Sequence, residues 1–281
     1  MAVNKATTRR DLMQIKSAGA NVVRLCHYPH DPSELSMRDE IGLLVFAEIP
    51  LYFWNDSADG RRNQKIRIRN AKRQIAQMIE RDINHASVIF WSVSNETPEQ
   101  IETVAADNAS LVQYARELDP SRLCVHVSNH WRDHPSFDAD DVVCVNGYPS
   151  MVWGDGKGEP APDPKNSGET WRNRLAKLHK RYSDRPVLIT EFGYCSFPGT
   201  FGHRFGEDSH ALVIESEFSG LDSPFICGAI IWCWADHPWP AGRFLGGLAI
   251  SPFGVLSRDR RPLLPFHAAA KVFRKRQGLE A

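Results

Sequence analysis

Apolar runs of strand length alternate with segments of helical period along this chain. Val88-Ile89-Phe90-Trp91 is a β-branched and aromatic run that gives way to Ser92, Ser94, Asn95 and Glu96, the pattern of a buried strand that ends in polar residues. Val187-Leu188-Ile189-Thr190 runs in the same way into Glu191. Five further runs read as strands: 21–25, 43–46, 123–127, 142–145 and 227–232. Helical spacing predicts helices over about 8–18, 33–41, 65–84, 98–118, 169–182, 208–220 and 265–276, with Ser33 as a cap and Gly19 and Gly42 as stops. The stretch 154–168 is loaded with Gly, Pro and Asp and predicts a lid or rim loop. A second irregular stretch covers 193–206.

Strand–helix alternation over the whole length predicts parallel strands with helical crossovers. The seven strands end in polar side chains nearly everywhere: His27, Glu48, Glu96, Tyr148, Glu191 and Asp236. An open doubly wound sheet gathers its site at one switch point. Polar residues at many strand ends fit a closed (β/α) barrel of the TIM type better. No G-x-G-x-x-G or Walker-type loop occurs, so a nucleotide fold has no positive support.

Composition narrows the class. The chain has 281 residues, 42% of them hydrophobic and 24% charged, a globular balance of one-domain barrel size. Lys plus Arg equals Asp plus Glu at 34 each, which argues against a nucleic-acid or membrane-hugging surface. The basic run from Arg61 to Arg73 has the spacing of a helix with a solvated face. Six cysteines without a C-x-x-C pair read as small buried hydrophobes and favour a reducing, cytoplasmic compartment. The N-terminus has no apolar core of a secretory signal, and the longest apolar run, Phe225–Ala235, is too short for a bilayer.

Taken alone, several of these residues have ordinary readings. Asn95-Glu96 can cap the next helix, Arg24 can form a strand-end ion pair, His27 can sit in a packed turn and Trp232 can be core. Together, NVVRLCHYPHDP (21–32), RDINHASVIFWSVSNE (81–96), VLITEFG (187–193) and IIWCWAD (230–236) resemble the catalytic barrel of glycoside hydrolase family 2, which includes β-galactosidases, β-glucuronidases and β-mannosidases. SPFGVLSRDRRP (251–262) resembles that family's exit from the barrel.

The resemblance implies a retaining β-glycosidase with Glu96 as general acid/base and Glu191 as nucleophile. Such a pair needs carboxyls roughly 5–5.5 Å apart across the anomeric carbon, and the acid needs a raised pKa. Asn95 is then expected beside the sugar hydroxyl next to the reacting carbon. Tyr148 is expected to donate to Glu191, with Asn146 beside it in the Asn-Gly-Tyr segment. Arg24 is expected to keep Glu191 ionised, His27 to contact the sugar and Trp232 to floor it. No cofactor is expected.

Where the chain departs from the family, the expectations change. The β-sandwich domains that precede the family's barrel have no counterpart, and the first strand is at most the stub Ala2-Val3-Asn4. An incomplete barrel of about seven strands, spanning 1–281, is therefore expected. Two unpaired edges invite a homo-oligomer or a chain that supplies the missing elements. A catalytically silent barrel that binds carbohydrate without turnover is the alternative. Glu48 is followed by Ile49-Pro50, without the Glu-x-His of magnesium-binding galactosidases, so no metal is expected there. The region 243–247 lacks the Asn-x-Lys pair of glucuronidases, although Arg243 could serve. A β-galactoside is the leading expectation, with β-glucuronide or β-mannoside open. The segments 153–168 and 197–204 are expected to shape the aglycone side.

Overall fold

The computed structural model describes residues 4–52, 63–130, 137–151, 163–239 and 249–279. The stub at 2–3, the basic start at 61–62, most of the 153–168 segment and the 243–247 region lie outside the described residues. Among the described residues seven α-helices and seven main strands alternate: α1 (Lys5–Ser17), β1 (Val22–Arg24), α2 (Pro32–Ile41), β2 (Leu44–Glu48), α3 (Gln64–Asp82), β3 (Val88–Asn95), α4 (Glu102–Leu118), β4 (Leu123–Ser128), β5 (Val143–Asn146), α5 (Ser167–Arg181), β6 (Val187–Phe192), α6 (Glu207–Gly220), β7 (Ile226–Ile231) and α7 (Leu264–Arg276). The strands β1 to β7 form one sheet in chain order, with parallel ladders from β1 through β5. Two short strands, β8 (His237–Pro238) and β9 (Ile250–Ser251), pair antiparallel.

Most expected elements are present, and the shifted boundaries have local causes. Asp31, not Ser33, caps α2: its Oδ1 accepts from the Ser33 amide at 2.8 Å, Pro32 takes the first turn, and Gly42 closes the helix at φ 73°. β3 runs on to Asn95 instead of stopping at Trp91, because its polar half is buried and paired. Ser92 Oγ donates to Glu48 at 2.8 Å, and Ser94 Oγ donates to Asn108 at 3.0 Å. α4 starts at Glu102, not near Pro98, because the Glu99 side chain turns inward to His126 and Ser128.

The chain divides into two compact units, residues 1–146 with 178–190, and residues 147–177 with 191–281. In the first, alternate strand positions are buried on both faces, as parallel sheets require. Val45, Trp91 and Cys124 pack with Ile75, Met78 and Leu111 from α3 and α4, whereas Phe46, Phe90 and Val125 pack with Cys144 and Leu188. Trp91 is wholly buried, and its Nε1 donates to Asp119 at 2.9 Å. Asp119 also accepts from Arg122 Nη1 at 2.7 Å and from the Ser121 amide at 2.9 Å. Burial pushes this carboxyl up, but the bonds from Ser121, Trp91 and Arg122 outweigh it and hold it well below the usual carboxylate range.

In the second unit, Met151, Tyr194, Cys195, Val213 and Phe253 form one cluster, against which Tyr148 and Trp232 pack. Gly168 and Gly220 bring α5 and α6 together; a Cβ on Gly220 would meet the Gly168 carbonyl oxygen at 2.0 Å. Glu217 on α6 is fully buried and accepts from Trp171 Nε1 and Ser150 Oγ, each at 3.0 Å. Trp171 in turn covers Gly147, where a Cβ would meet the indole at 2.6 Å. Indole, carboxyl and serine thus bracket the 147–150 turn. Desolvation pushes the Glu217 carboxyl up to about 8, and the donors offset only part of that.

Two stability outcomes follow from these buried carboxyls. Asp119→Asn should lower unfolding free energy in urea by about 2 kcal/mol at pH 7. A depressed carboxyl contributes in full only above its unfolded value, so this deficit should shrink below about pH 4. Glu217 has the opposite sign, because its folded value is raised. Wild-type stability should fall by up to about 1.4 kcal/mol per pH unit between roughly pH 4.5 and 8 from this group. Glu217→Gln should flatten that slope, and parallel slopes would show that Glu217 is ionised throughout.

Candidate active site

In the first unit, the ends of β1 to β5 carry one continuous polar network. Arg24 closes β1 and Glu48 closes β2, and both side chains are fully buried. Arg24 Nη2 lies 2.9 and 3.1 Å from the Glu48 oxygens, and Nε lies 3.3 Å away. Nη1 donates to the Thr190 carbonyl oxygen at 3.3 Å. His27 Nδ1 sits 2.7 Å from Glu48 Oε1, and the imidazole packs against Tyr52. Burial alone would push the Glu48 carboxyl up, but the Arg24 charge and the His27 hydrogen bond hold it below its ordinary value. Glu48 is therefore an ionised counter-charge set under the strand ends.

That pair orients the residues beyond it. Arg24 Nη2 donates to Asn95 Oδ1 at 2.7 Å, and Asn146 Nδ2 donates to the same oxygen at 3.0 Å. A guanidinium has no acceptor, so Asn95 must present its oxygen to Arg24 and its amide nitrogen away from it. Asn146 is equally determined: its Oδ1 accepts from Thr190 Oγ1 at 2.7 Å, and its Nδ2 also donates to Glu96 Oε1 at 2.8 Å. Asn129 Nδ2 donates to Glu96 Oε2 at 3.1 Å. Glu96 itself has φ 49°, an uncommon left-handed position for a side chain of its size. Its neighbours hold it there. The Glu96 amide donates to the Val127 carbonyl at 2.9 Å, and Asn108 links Ser94 to Thr97.

In the second unit, Tyr148 Oη donates to Glu191 Oε2 at 2.7 Å, and the Gly147 amide donates to the Glu191 carbonyl at 3.0 Å. The phenol ring packs edge-on against Phe253. Trp232 bonds through its amide to the Phe192 carbonyl at 2.9 Å. Gly193 allows that approach, since a Cβ there would meet the Trp232 carbonyl oxygen at 2.6 Å and φ is 147°. Asp236 accepts from the Gly254 amide at 2.8 Å, and burial pushes its carboxyl up to about 6.

Each expected site residue is thus placed. Arg24, His27, Asn95, Asn146 and Glu96 belong to one network, and Tyr148, Glu191 and Trp232 belong to the second unit. The Tyr148–Glu191 bond has the expected partners, and Arg24 forms an ion pair with Glu48. Glu48, Thr190, Asn129 and Glu217 are participants that residue pattern did not single out for the site. For Glu48 a signal existed, since it is one of the polar residues ending the strands; Asn129 likewise directly follows β4.

No helix among the described residues is long and apolar enough to cross a membrane. A family model for the TIM barrel domain of glycosyl hydrolases family 2 matches residues 1–238. The β-glucuronidase of Streptococcus agalactiae serotype V is 29% identical over 293 residues, covering 98% of this chain and 47% of the relative. The human β-glucuronidase is 26% identical, covering 95% of this chain and 40% of the relative. Among solved structures, the β-D-glucuronidase of Dictyoglomus thermophilum matches with a TM-score of 0.87 and 26% identity, covering 98% of this chain and 48% of that one. A β-galacturonidase from Eisenbergiella tayi shares the fold at a TM-score of 0.83 and 23% identity. This chain spans about half the length of the relatives it matches. Sheet order, helical crossovers and the family match agree, and the chain belongs to glycosyl hydrolases family 2 as its TIM barrel domain.

Proposed function

We propose that this chain is the catalytic barrel of a retaining β-glycosidase, with a β-linked hexuronide, glucuronide first, as its substrate. The observation that carries the reading is the 2.7 Å bond from Tyr148 to Glu191, a carboxylate held by a phenol at the end of a barrel strand. Glu191 attacks the anomeric carbon and forms the glycosyl-enzyme, while Glu96 gives its proton to the departing oxygen. Glu96 then takes a proton from water, which attacks the same carbon and frees Glu191. Asn95, with its oxygen taken by Arg24 and Asn146, keeps its amide nitrogen for the hydroxyl beside the reacting carbon. Arg24 acts on Glu191 as a fixed positive charge, His27 contacts the sugar and Trp232 supports its ring.

The substrate assignment departs from the galactoside expectation because the relatives named above are β-glucuronidases. Arg243 is the candidate cation for a uronate carboxylate; it lies outside the described residues. The six cysteines are free thiols, which supports a reducing, cytoplasmic setting. A second reading has its own observation. Because the chain spans about half its relatives' length, a barrel that binds sugar silently, or that works only with a partner chain or a second copy, is the alternative.

A panel of nitrophenyl β-glycosides separates these readings. Release from the glucuronide at least about tenfold faster than from the galactoside or mannoside is expected. Folded protein that turns over no member of the panel refutes the enzyme reading and favours the silent one. Glu96→Ala should slow a poor alkyl leaving group by about 100-fold or more, and an activated nitrophenol far less, since only the first needs the acid. Equal losses for both would remove Glu96 from that role.

A further inference from the structure

Among the groups that hold Glu96 are two side-chain amides, Asn129 and Asn146, which differ in one respect. Asn146 cannot turn over: its oxygen accepts from Thr190, and its nitrogen donates to both Asn95 and Glu96. Asn129 makes a single side-chain bond, from Nδ2 to Glu96 Oε2, and its Oδ1 is buried with no partner among the described residues. Turning the Asn129 amide by 180° therefore breaks nothing on its far side. It would place Oδ1, an acceptor, against Glu96 Oε2. An ionised Glu96 requires a donor at that position and a protonated Glu96 requires an acceptor, and an amide is one of the few groups that supplies either.

The backbone that carries Asn129 is fixed independently of this exchange. Ser128, just before it, donates through Oγ to Glu99 Oε1 and accepts from the His130 amide at 3.1 Å. Glu99 Oε2 lies 3.0 Å from His126 Nε2, and both Asp140 oxygens lie 2.9 Å from His126 Nδ1. The side chains of His126, Glu99 and Asp140 are buried, and the imidazole stacks on Phe137. With a carboxyl on each ring nitrogen, both nitrogens must carry protons, so His126 is an imidazolium. Burial opposes that charge, but Asp140 and Glu99 outweigh it and push the imidazole up to about 10. This anchor keeps its charge through the neutral range. Arg24 and Glu48, with His27 beside them, are linked to Glu96 by way of Asn95 and Asn146.

We propose that Asn129 is a positioning residue for Glu96, donating to its carboxylate and turning over to accept from its acid form. The role rests on reading Glu96 as the acid/base. Before reaction, Asn129 Oδ1 holds the Glu96 hydroxyl; when that proton leaves for the glycosidic oxygen, Nδ2 turns to the new carboxylate. The exchange reverses when Glu96 takes a proton from water. Asn146 remains a constant donor on the other oxygen.

The test needs no turnover, so it stands apart from the glycoside panel. The full chain is labelled with 13Cδ-glutamate, the Glu96 signal is assigned by its loss in Glu96→Gln, and its titration is followed in variants. A group that serves both protonation states equally leaves the midpoint in place when removed. Asn129→Leu, with Asn129→Ala as a second variant in case the first does not fold, should move the Glu96 midpoint by less than about 0.3 units. Asn146→Leu, the loss of a constant donor, should raise it by about one unit. Asn129→Asp, which supports only the acid form and adds a like charge, should raise the upper step of the coupled pair by about one unit or more. An Asn129→Leu or Asn129→Ala shift matching that of Asn146→Leu would make Asn129 a constant donor and overturn the proposal. An unmoved midpoint in Asn129→Asp would show that Asn129 does not contact Glu96, and would overturn it equally. If the titrations behave as expected while no glycoside is cleaved, the contact holds and the enzyme reading fails.

Discussion

The interaction on which the first unit's site depends is the buried pair of Arg24 and Glu48. Two charges withdrawn from water cost several kcal/mol each unless close geometry and further hydrogen bonds compensate. Here the compensation is extensive: Glu48 accepts from Arg24, His27 and Ser92, while Arg24 also reaches Asn95 and the Thr190 carbonyl. Loss of either partner would leave an uncompensated charge at a cost of about 3–5 kcal/mol. The pair also sets direction. Because the guanidinium only donates, Asn95 has one possible orientation, and Asn146 and Thr190 fall into line behind it. One ion pair thus determines which amide face is offered at the strand ends.

The second unit reaches the same end by packing. Tyr148 stands on the turn that Trp171, Ser150 and Glu217 bracket, and its ring lies against Phe253. A phenol fixed on both sides can donate to Glu191 with little loss of rotamer freedom. The buried carboxyl of Glu217, which desolvation pushes up to about 8, accepts from Ser150 and Trp171. Burial thus raises Glu217 against the weaker pull of its donors and Arg174, whereas the closely paired Arg24 lowers Glu48, two carboxyls distinguished by their neighbours.

The fold was legible because strand and helix periodicity is strong in this chain, and seven strands were expected where seven form the sheet. The motif residues were legible too, since they stand at strand ends. Less visible was whatever depended on burial rather than pattern. Ser92 and Ser94 read as the end of a strand, yet they continue it, because hydroxyls with partners can be buried. Glu217 is indistinguishable in the sequence from Glu215, the part-exposed acid two residues before it on α6. His126 sits at an apolar-looking position of β4, and only its contacts with Glu99 and Asp140, residues distant in the chain, explain a cation there. Glu48 was visible as a strand end, but its pairing with Arg24 depends on neighbouring strands whose register sequence does not state.

The central claim is that Glu191 is the nucleophile that becomes bonded to the sugar. It is tested most directly by trapping the full chain with a 2-fluoro glucuronosyl fluoride and mapping the labelled peptide by mass spectrometry. A single adduct on Glu191, abolished in Glu191→Gln and slowed in Tyr148→Phe, is the result expected. An adduct on any other residue of folded protein, or none at saturating reagent, would contradict it.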